Sequence, residues 1–322
     1  MLTRNVFGYH PHWIGENFHS YDFSLLSHVA YFSAEANPAT GTVSSAHNWA
    51  TTGLIAAAQA AQTKPVLTVT LMGASSNAAL LGDAGKRNTL IQTVVGLASA
   101  QNAAGITIDF ESVPQAQRGN FVAFVSGLAA AARAAIGGVE ISAALPAIDW
   151  SKAYDAVGLA ASCDHLVLMG YDYHYTGSAN AGAVAPLDGG MSVRQSVNNY
   201  LNLGVAPQKL ILGVPYYGYD WPVKDSSGGS ATTGKGKAIL FKDAKTAAAQ
   251  NGRNWDDATS SPWYAYQTPQ GWRQAWYEDE QSLGVKYSLV NSLNLGGVAI
   301  WALSYDGGNA DLWNALAAAF SE

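Results

Sequence analysis

Asp109 and Glu111 close the run Gly105-Ile106-Thr107-Ile108-Asp109-Phe110-Glu111, an apolar stretch that reads as a buried strand ending in two acids. Residues two apart on a strand share a face. The two carboxyls therefore project together, and Ile106, Ile108 and Phe110 point to the other side. Burying a carboxyl pair is costly unless something uses it. The useful form is an acid whose proton is governed by its neighbour, which is the equipment for breaking a glycosidic bond. The bland alternative is structural, with each acid matched by Arg or Lys across the core. The absence of a basic residue from the local sequence counts against it.

Strands must place these acids, and the chain supplies them in a regular rhythm. Runs rich in Val, Ile and Leu fall at residues 5–9, 28–33, 65–72, 106–111, 139–145, 165–173, 209–217 and 297–303. They are continuous rather than alternating, as parallel strands covered on both faces are. Helix candidates lie between them: 51–62, 85–101, a helix opened by Pro114 and stopped by Gly137-Gly138, then 151–161, 192–203, 280–293 and 310–320. A short turn near residues 22–26 stands in for the first helix. Eight strands each followed by a helix predict an α/β fold, a (β/α)₈ TIM barrel.

One stretch breaks the rhythm. About sixty residues rich in Gly, Ser, Thr, Trp and Tyr separate the seventh strand from the helix near Glu280, too many for a structureless loop. They predict a small β-rich insertion over about 222–277, within a single catalytic domain spanning 1–322. Trp255, Trp263, Tyr264, Tyr266, Trp272 and Trp276 are expected mostly as its core, with two or three facing the cleft.

Barrel enzymes keep their chemistry at the C-terminal ends of the strands. Those ends carry Tyr9, Phe32, Asp109 and Glu111, then Met169, Tyr171 and Asp172, then Tyr217 and Trp301. Two acids within a ring of aromatics suit a neutral sugar, because aromatic faces pack on pyranose C–H faces while phenol and indole tips hydrogen-bond. Met169 alone would read as packing. His10, His12 and His174 resemble a metal set at first sight but lack ligand spacing, so no metal is expected.

The chain is similar here to glycoside hydrolase family 18, the chitinase-type enzymes. The family's fourth-strand signature, Asp-Gly-x-Asp-x-Asp-x-Glu, reads Ala104-Gly105-Ile106-Thr107-Ile108-Asp109-Phe110-Glu111, with its first two acids replaced. Met-x-Tyr-Asp is intact as Met169-Gly170-Tyr171-Asp172, and Gly-Gly-x-x-x-Trp as Gly296-Gly297-Val298-Ala299-Ile300-Trp301. Ser-x-Gly-Gly is degraded to Thr70-Leu71-Met72-Gly73. The shape Ile-Asp-Phe-Glu resembles the bacterial N-acetylglucosaminidase branch.

The resemblance implies retaining hydrolysis of β-1,4-linked N-acetylglucosamine glycans, with chitin or its oligosaccharides foremost, in which the substrate's own acetamido oxygen attacks. It implies Glu111 as general acid then base, Asp109 beside the developing oxazolinium, and Tyr171 on the acetamido carbonyl. Asp172, Met169, Trp301, Tyr9, Phe32 and Tyr217 would then bind substrate. No cofactor is implied. Peptidoglycan strands, N-glycan cores and a carbohydrate-binding lectin on the same barrel stay open as alternatives. Thr107, in place of an acid, is expected to offer Asp109 a hydrogen bond and leave it ionised over more of the acid range.

Composition fits a neutral partner. Charged residues make up 12% of 322, the formal net charge is −6, and 48% of residues are hydrophobic. That balance argues against nucleic acid or an anionic membrane, and no apolar run is long enough to span a bilayer. The single cysteine, Cys163, excludes an internal disulfide and is expected as a buried apolar residue. A monomer is expected, in a secreted or cell-surface location, with its targeting segment not present in this chain.

Overall fold

The computed structural model describes residues 1–322. Its strands begin with β1 (Asn5–Pro11) and β2 (His28–Ala36), and β2 turns back through the short antiparallel β3 (Val43–Ser45). The parallel series continues with β4 (Lys64–Met72), β5 (Gly105–Glu111), β6 (Glu140–Pro146), β7 (His165–Met169) and β8 (Leu210–Pro215). Between β8 and the last barrel strand lie β9 (Tyr217–Val223), β10 (Lys237–Leu240), β11 (Asn254–Asp256), β12 (Ser261–Thr268) and β13 (Gly271–Trp276). Finally β14 (Gly297–Trp301) pairs with both β8 and β1, and β1 pairs with β2, so the eight parallel strands close into a barrel.

The glycine pair at the start of β14 has a steric reason. A Cβ on Gly297 would lie 1.9 Å from the Asn5 carbonyl oxygen, and one on Gly296 2.3 Å from that of Gln208. Backbone approach this close admits only glycine.

The helices α1 (Leu54–Ala60), α2 (Ala74–Leu81), α3 (Ala84–Ala100), α4 (Arg118–Ala135), α5 (Ala156–Ala160), α6 (Val193–Asn202), α7 (Phe241–Asn251), α8 (Glu280–Ser292) and α9 (Ala310–Phe320) complete the chain. Three 3₁₀ turns replace a helix after β1, and Asp22 caps the last of them through the Ser24 amide. Phe7, Tyr9, Ala30, Val66, Val167, Ile211 and Ala299 fill the barrel interior, while the larger core lies between strands and helices.

Several boundaries differ from the sequence expectation. Pro114 is extended and precedes a 3₁₀ turn; α4 starts at Arg118. The helix expected over 151–161 shrinks to α5, because the Asp149 carboxylate ties the amides of Ala153 and Tyr154 into a loop. The strand expected to reach Tyr173 stops at Met169, and Asp172 takes a left-handed backbone, φ 61°. The strand expected over 209–217 is split between the barrel (β8) and a second sheet (β9). Two helices, α2 and α7, were not expected at all.

The residues after β8 form a five-stranded antiparallel sheet, ordered β10-β9-β13-β12-β11, with α7 packed on it. Trp263 stacks on Trp276 at 5.5 Å, and Asp220 accepts from Tyr266 and Arg273. No helix is long and apolar enough to cross a membrane. Cys163 is buried.

Candidate active site

β5 places the two acids as its alternation requires. Phe110 turns outward onto α4, stacking between Phe121 (5.8 Å) and Phe124 (5.3 Å). Asp109 and Glu111 consequently face the barrel mouth. The end of the strand is fixed by two buried polar side chains. Tyr154 Oη donates to the Phe110 carbonyl at 2.7 Å. Asn77, fully buried in α2, donates to the carbonyls of Leu71, Gly73 and Glu111 at 3.3, 3.0 and 2.7 Å.

The mouth holds a cavity of about 290 Å³, at the small end of ligand pockets. Tyr9, Phe32, Asp109, Glu111, Met169, Tyr171, Asp172, Tyr217 and Trp301 all line it. These are the nine residues singled out in the sequence. Ala144, Pro146, Ala147 and Val167 complete the wall. Small residues carry no chemical signature, so nothing in the sequence pointed to them.

Trp301 forms an aromatic floor with Phe32 (4.6 Å) and Tyr9 (6.0 Å). Trp13 stands at the rim, 53% exposed, its ring 6.2 Å from Trp301. Opposite, Asp172 Oδ1 accepts from Tyr217 Oη at 2.6 Å and Tyr219 Oη at 3.0 Å. Its left-handed backbone turns it toward these phenols, a conformation Asp tolerates.

Electrostatics distinguish the three acids. Asp109 is 6% exposed, and its Oδ1 has no hydrogen-bond partner. Burial, then the charge of Glu111, raises its proton affinity well above the carboxylate range. Glu111 is raised by burial, then by the charge of Asp172. Asp172 lies open at the rim, where water screens it; partial burial raises it and the two phenols hold it back.

This corrects the expectation for Thr107. Its hydroxyl bonds Ser142 Oγ at 2.6 Å, not Asp109. Burial outweighs the loss of an acidic neighbour, so Asp109 keeps its proton to higher pH instead of losing it sooner.

Other expectations also move. His10 bonds Tyr21 inside the core, His174 bonds the Ala183 carbonyl, and His12 stacks on His47, so the three histidines do not converge. None of Trp255, Trp263, Tyr264, Tyr266, Trp272 and Trp276 lines the cavity; they serve the insertion's own packing and surface.

A barrel with acids at the end of β5, a tyrosine–aspartate pair after β7 and a tryptophan ending β14 defines the class. A sequence model of glycosyl hydrolases family 18 matches residues 5–306, and the chain belongs to that family. YdhD of Bacillus subtilis (strain 168), named for a sporulation-specific glycosylase role, is 30% identical over 224 residues, 68% of this chain and 51% of its own. Di-N-acetylchitobiase of Homo sapiens is 26% identical over 248 residues, 69% of this chain and 64% of its own. The chain thus spans between half and two thirds of these relatives' lengths. A chitinase of Cycas revoluta, solved with (GlcNAc)4, superposes with a TM-score of 0.89 at 23% identity over 98% of this chain and 99% of its own. The spore cortex-lytic enzyme SleL of Bacillus cereus does so at 0.84 and 23%, over 99% and 75%. These two likenesses concern the fold.

Proposed function

We propose that the chain is a retaining glycosidase that cleaves β-1,4-linked N-acetylglucosamine glycans, chitin oligosaccharides foremost, by substrate assistance. The observation that carries the reading is the buried, unpartnered Asp109 one strand period from Glu111, above a Trp301–Phe32–Tyr9 floor.

A buried carboxyl that holds its proton is a poor nucleophile. The attacking group is then the substrate's 2-acetamido oxygen, which family 18 chemistry uses in place of a carboxylate. Glu111, its proton affinity raised, enters protonated and gives its proton to the glycosidic oxygen. The acetamido oxygen closes on the anomeric carbon, and positive charge develops on the new ring. Asp109 beside it accepts the acetamido N–H and orients the attacking oxygen, while the forming cation lowers its carboxyl's proton affinity. Glu111 then takes a proton from the water that opens the ring. Tyr171, on the cavity wall, donates to the acetamido carbonyl. Asp172, Met169, Tyr217 and the aromatic floor hold the sugar.

Relatives named for chitobiose and for cortical fragments keep peptidoglycan strands and N-glycan cores among the candidates. Incubation with chitin oligosaccharides, purified peptidoglycan and high-mannose glycopeptide, with products identified by mass, separates them. Cleavage between N-acetylglucosamine units of chitin is the expected result. Cleavage of none of the three by wild type, with binding retained, would make the barrel a lectin.

A further inference from the structure

The opposite end of the barrel gathers a second set of chemistry-bearing groups. His28, Lys64, Glu140 and His165 are each the first residue of their strands, β2, β4, β6 and β7. Glu140 Oε2 lies 2.7 Å from His28 Nε2 and 3.4 Å from His165 Nε2. The imidazole planes differ by 74°, so two Nε2 atoms approach one carboxylate oxygen from different directions. We propose that His28, Glu140 and His165 form a binding site for a divalent transition-metal ion of the zinc class, structural in role and remote from the sugar cleft.

Geometry supports the ligand set. Tetrahedral zinc with bonds of about 2.0–2.1 Å holds its ligand atoms about 3.3 Å apart. The His165 separation already matches, and the His28 separation needs to open by roughly half an ångström on the same scale. Three protein ligands leave a fourth position for water. His28 is 1% exposed, with Phe7 stacked on it at 3.9 Å, so its ring is held in place.

Supporting hydrogen bonds also favour a metal. Ser27 Oγ sits 2.7 Å from His28 Nδ1 and 3.1 Å from the Val6 carbonyl. A relay from Nδ1–H to Ser27 and from Ser27 to Val6 leaves the Nε2 lone pair for the ion, as outer partners of metal-binding histidines do. His165 Nδ1 is buried without a partner, so this ring has no outer hydrogen bond and is placed only by its Nε2 facing the Glu140 carboxylate at 3.4 Å. Lys64 occupies the other carboxylate oxygen, Oε1; its side chain is 48% exposed and can withdraw into water.

A second cluster sharpens the test. His12, Glu35 and His47 also lie together, at the open end of the barrel. There the two rings stack face to face at 3.4 Å and 9°, so their lone pairs run side by side rather than converge.

The test uses the 322-residue chain stripped with chelator. Zinc at a hundredfold over its Kd should raise Tm by about 5 °C and bind one ion per chain. His165→Ala should abolish both effects and His47→Ala neither, with initial rates on sugar unchanged by zinc in the wild type. Zinc-soaked crystals supply a readout that needs no variant: an anomalous peak bounded by His28, Glu140 and His165. A peak only at His12, Glu35 and His47, or no peak and no Tm shift, would overturn the proposal.

Discussion

At the residue scale the proposed mechanism rests on the three acids of the cavity, and so does the pH dependence it predicts. Glu111→Gln keeps the shape but cannot protonate a leaving oxygen, so turnover should fall by about 100-fold or more. A loss within about tenfold would be too small for a general acid. With Glu111 as the general acid, loss of its proton should set the alkaline limb of the pH–rate profile. The charge of Asp172 raises that proton affinity, so removing it must lower it. Asp172→Asn should therefore move the alkaline limb toward acid, by up to about one pH unit, in kcat/KM profiles. Asp109 carries a stability consequence of opposite sign to its role in turnover. Its proton affinity is raised on folding, so wild type loses stability as pH rises from the unfolded carboxylate range through the folded one. Asp109→Asn, which mimics the neutral form, should lose most activity yet gain on the order of 1–3 kcal/mol above that window, and nothing below it. Urea unfolding at acid and alkaline pH measures the difference; a variant less stable than wild type at alkaline pH would contradict it.

At the element scale, what could be read from the sequence depended on how local the signal was. The alternation of β5 forecast that Phe110 would leave the barrel while Asp109 and Glu111 stayed inside, because strand geometry alone decides it. The partner of Thr107 was not readable, because Ser142 lies thirty-five residues on and meets it only through the pairing of β5 with β6. Helix α2 was hidden because Ala74-Ser75-Ser76-Asn77 after Gly73 reads as loop. It nonetheless supplies Asn77, which ties the ends of β4 and β5 together. Asn77→Ala would remove a side-chain donor from three carbonyls, of which those of Gly73 and Glu111 keep a backbone N–H, and should cost about 1–3 kcal/mol. Because it holds the backbone of Glu111 without lining the cavity, kcat should drop more than KM changes. Full kcat with reduced stability would leave Asn77 a packing residue only.

At the scale of the whole molecule, the inserted sheet is built onto the cavity, since its strand β9 carries Tyr217, which lines it. The insertion joins the barrel where β13 returns to α8, and there Lys286 and Glu278 form a fully buried ion pair at 2.6 Å. Burial pushes the Glu278 carboxyl up to about 7, with Lys286 opposing the rise. Lys286→Met leaves that carboxyl alone and should cost about 3–5 kcal/mol in urea melts, whereas Lys286→Met with Glu278→Leu should recover most of it. An unchanged melt for the single variant would mean the pair contributes nothing to the junction. In the mechanism proposed for the cavity, the sugar's own acetamido group is the nucleophile and Asp109 and Glu111 serve it. The most direct measurement is the anomeric configuration of the first product from a chitin oligosaccharide, followed by proton NMR before mutarotation. Release of the β-anomer is the predicted result. Initial release of the α-anomer would contradict substrate assistance.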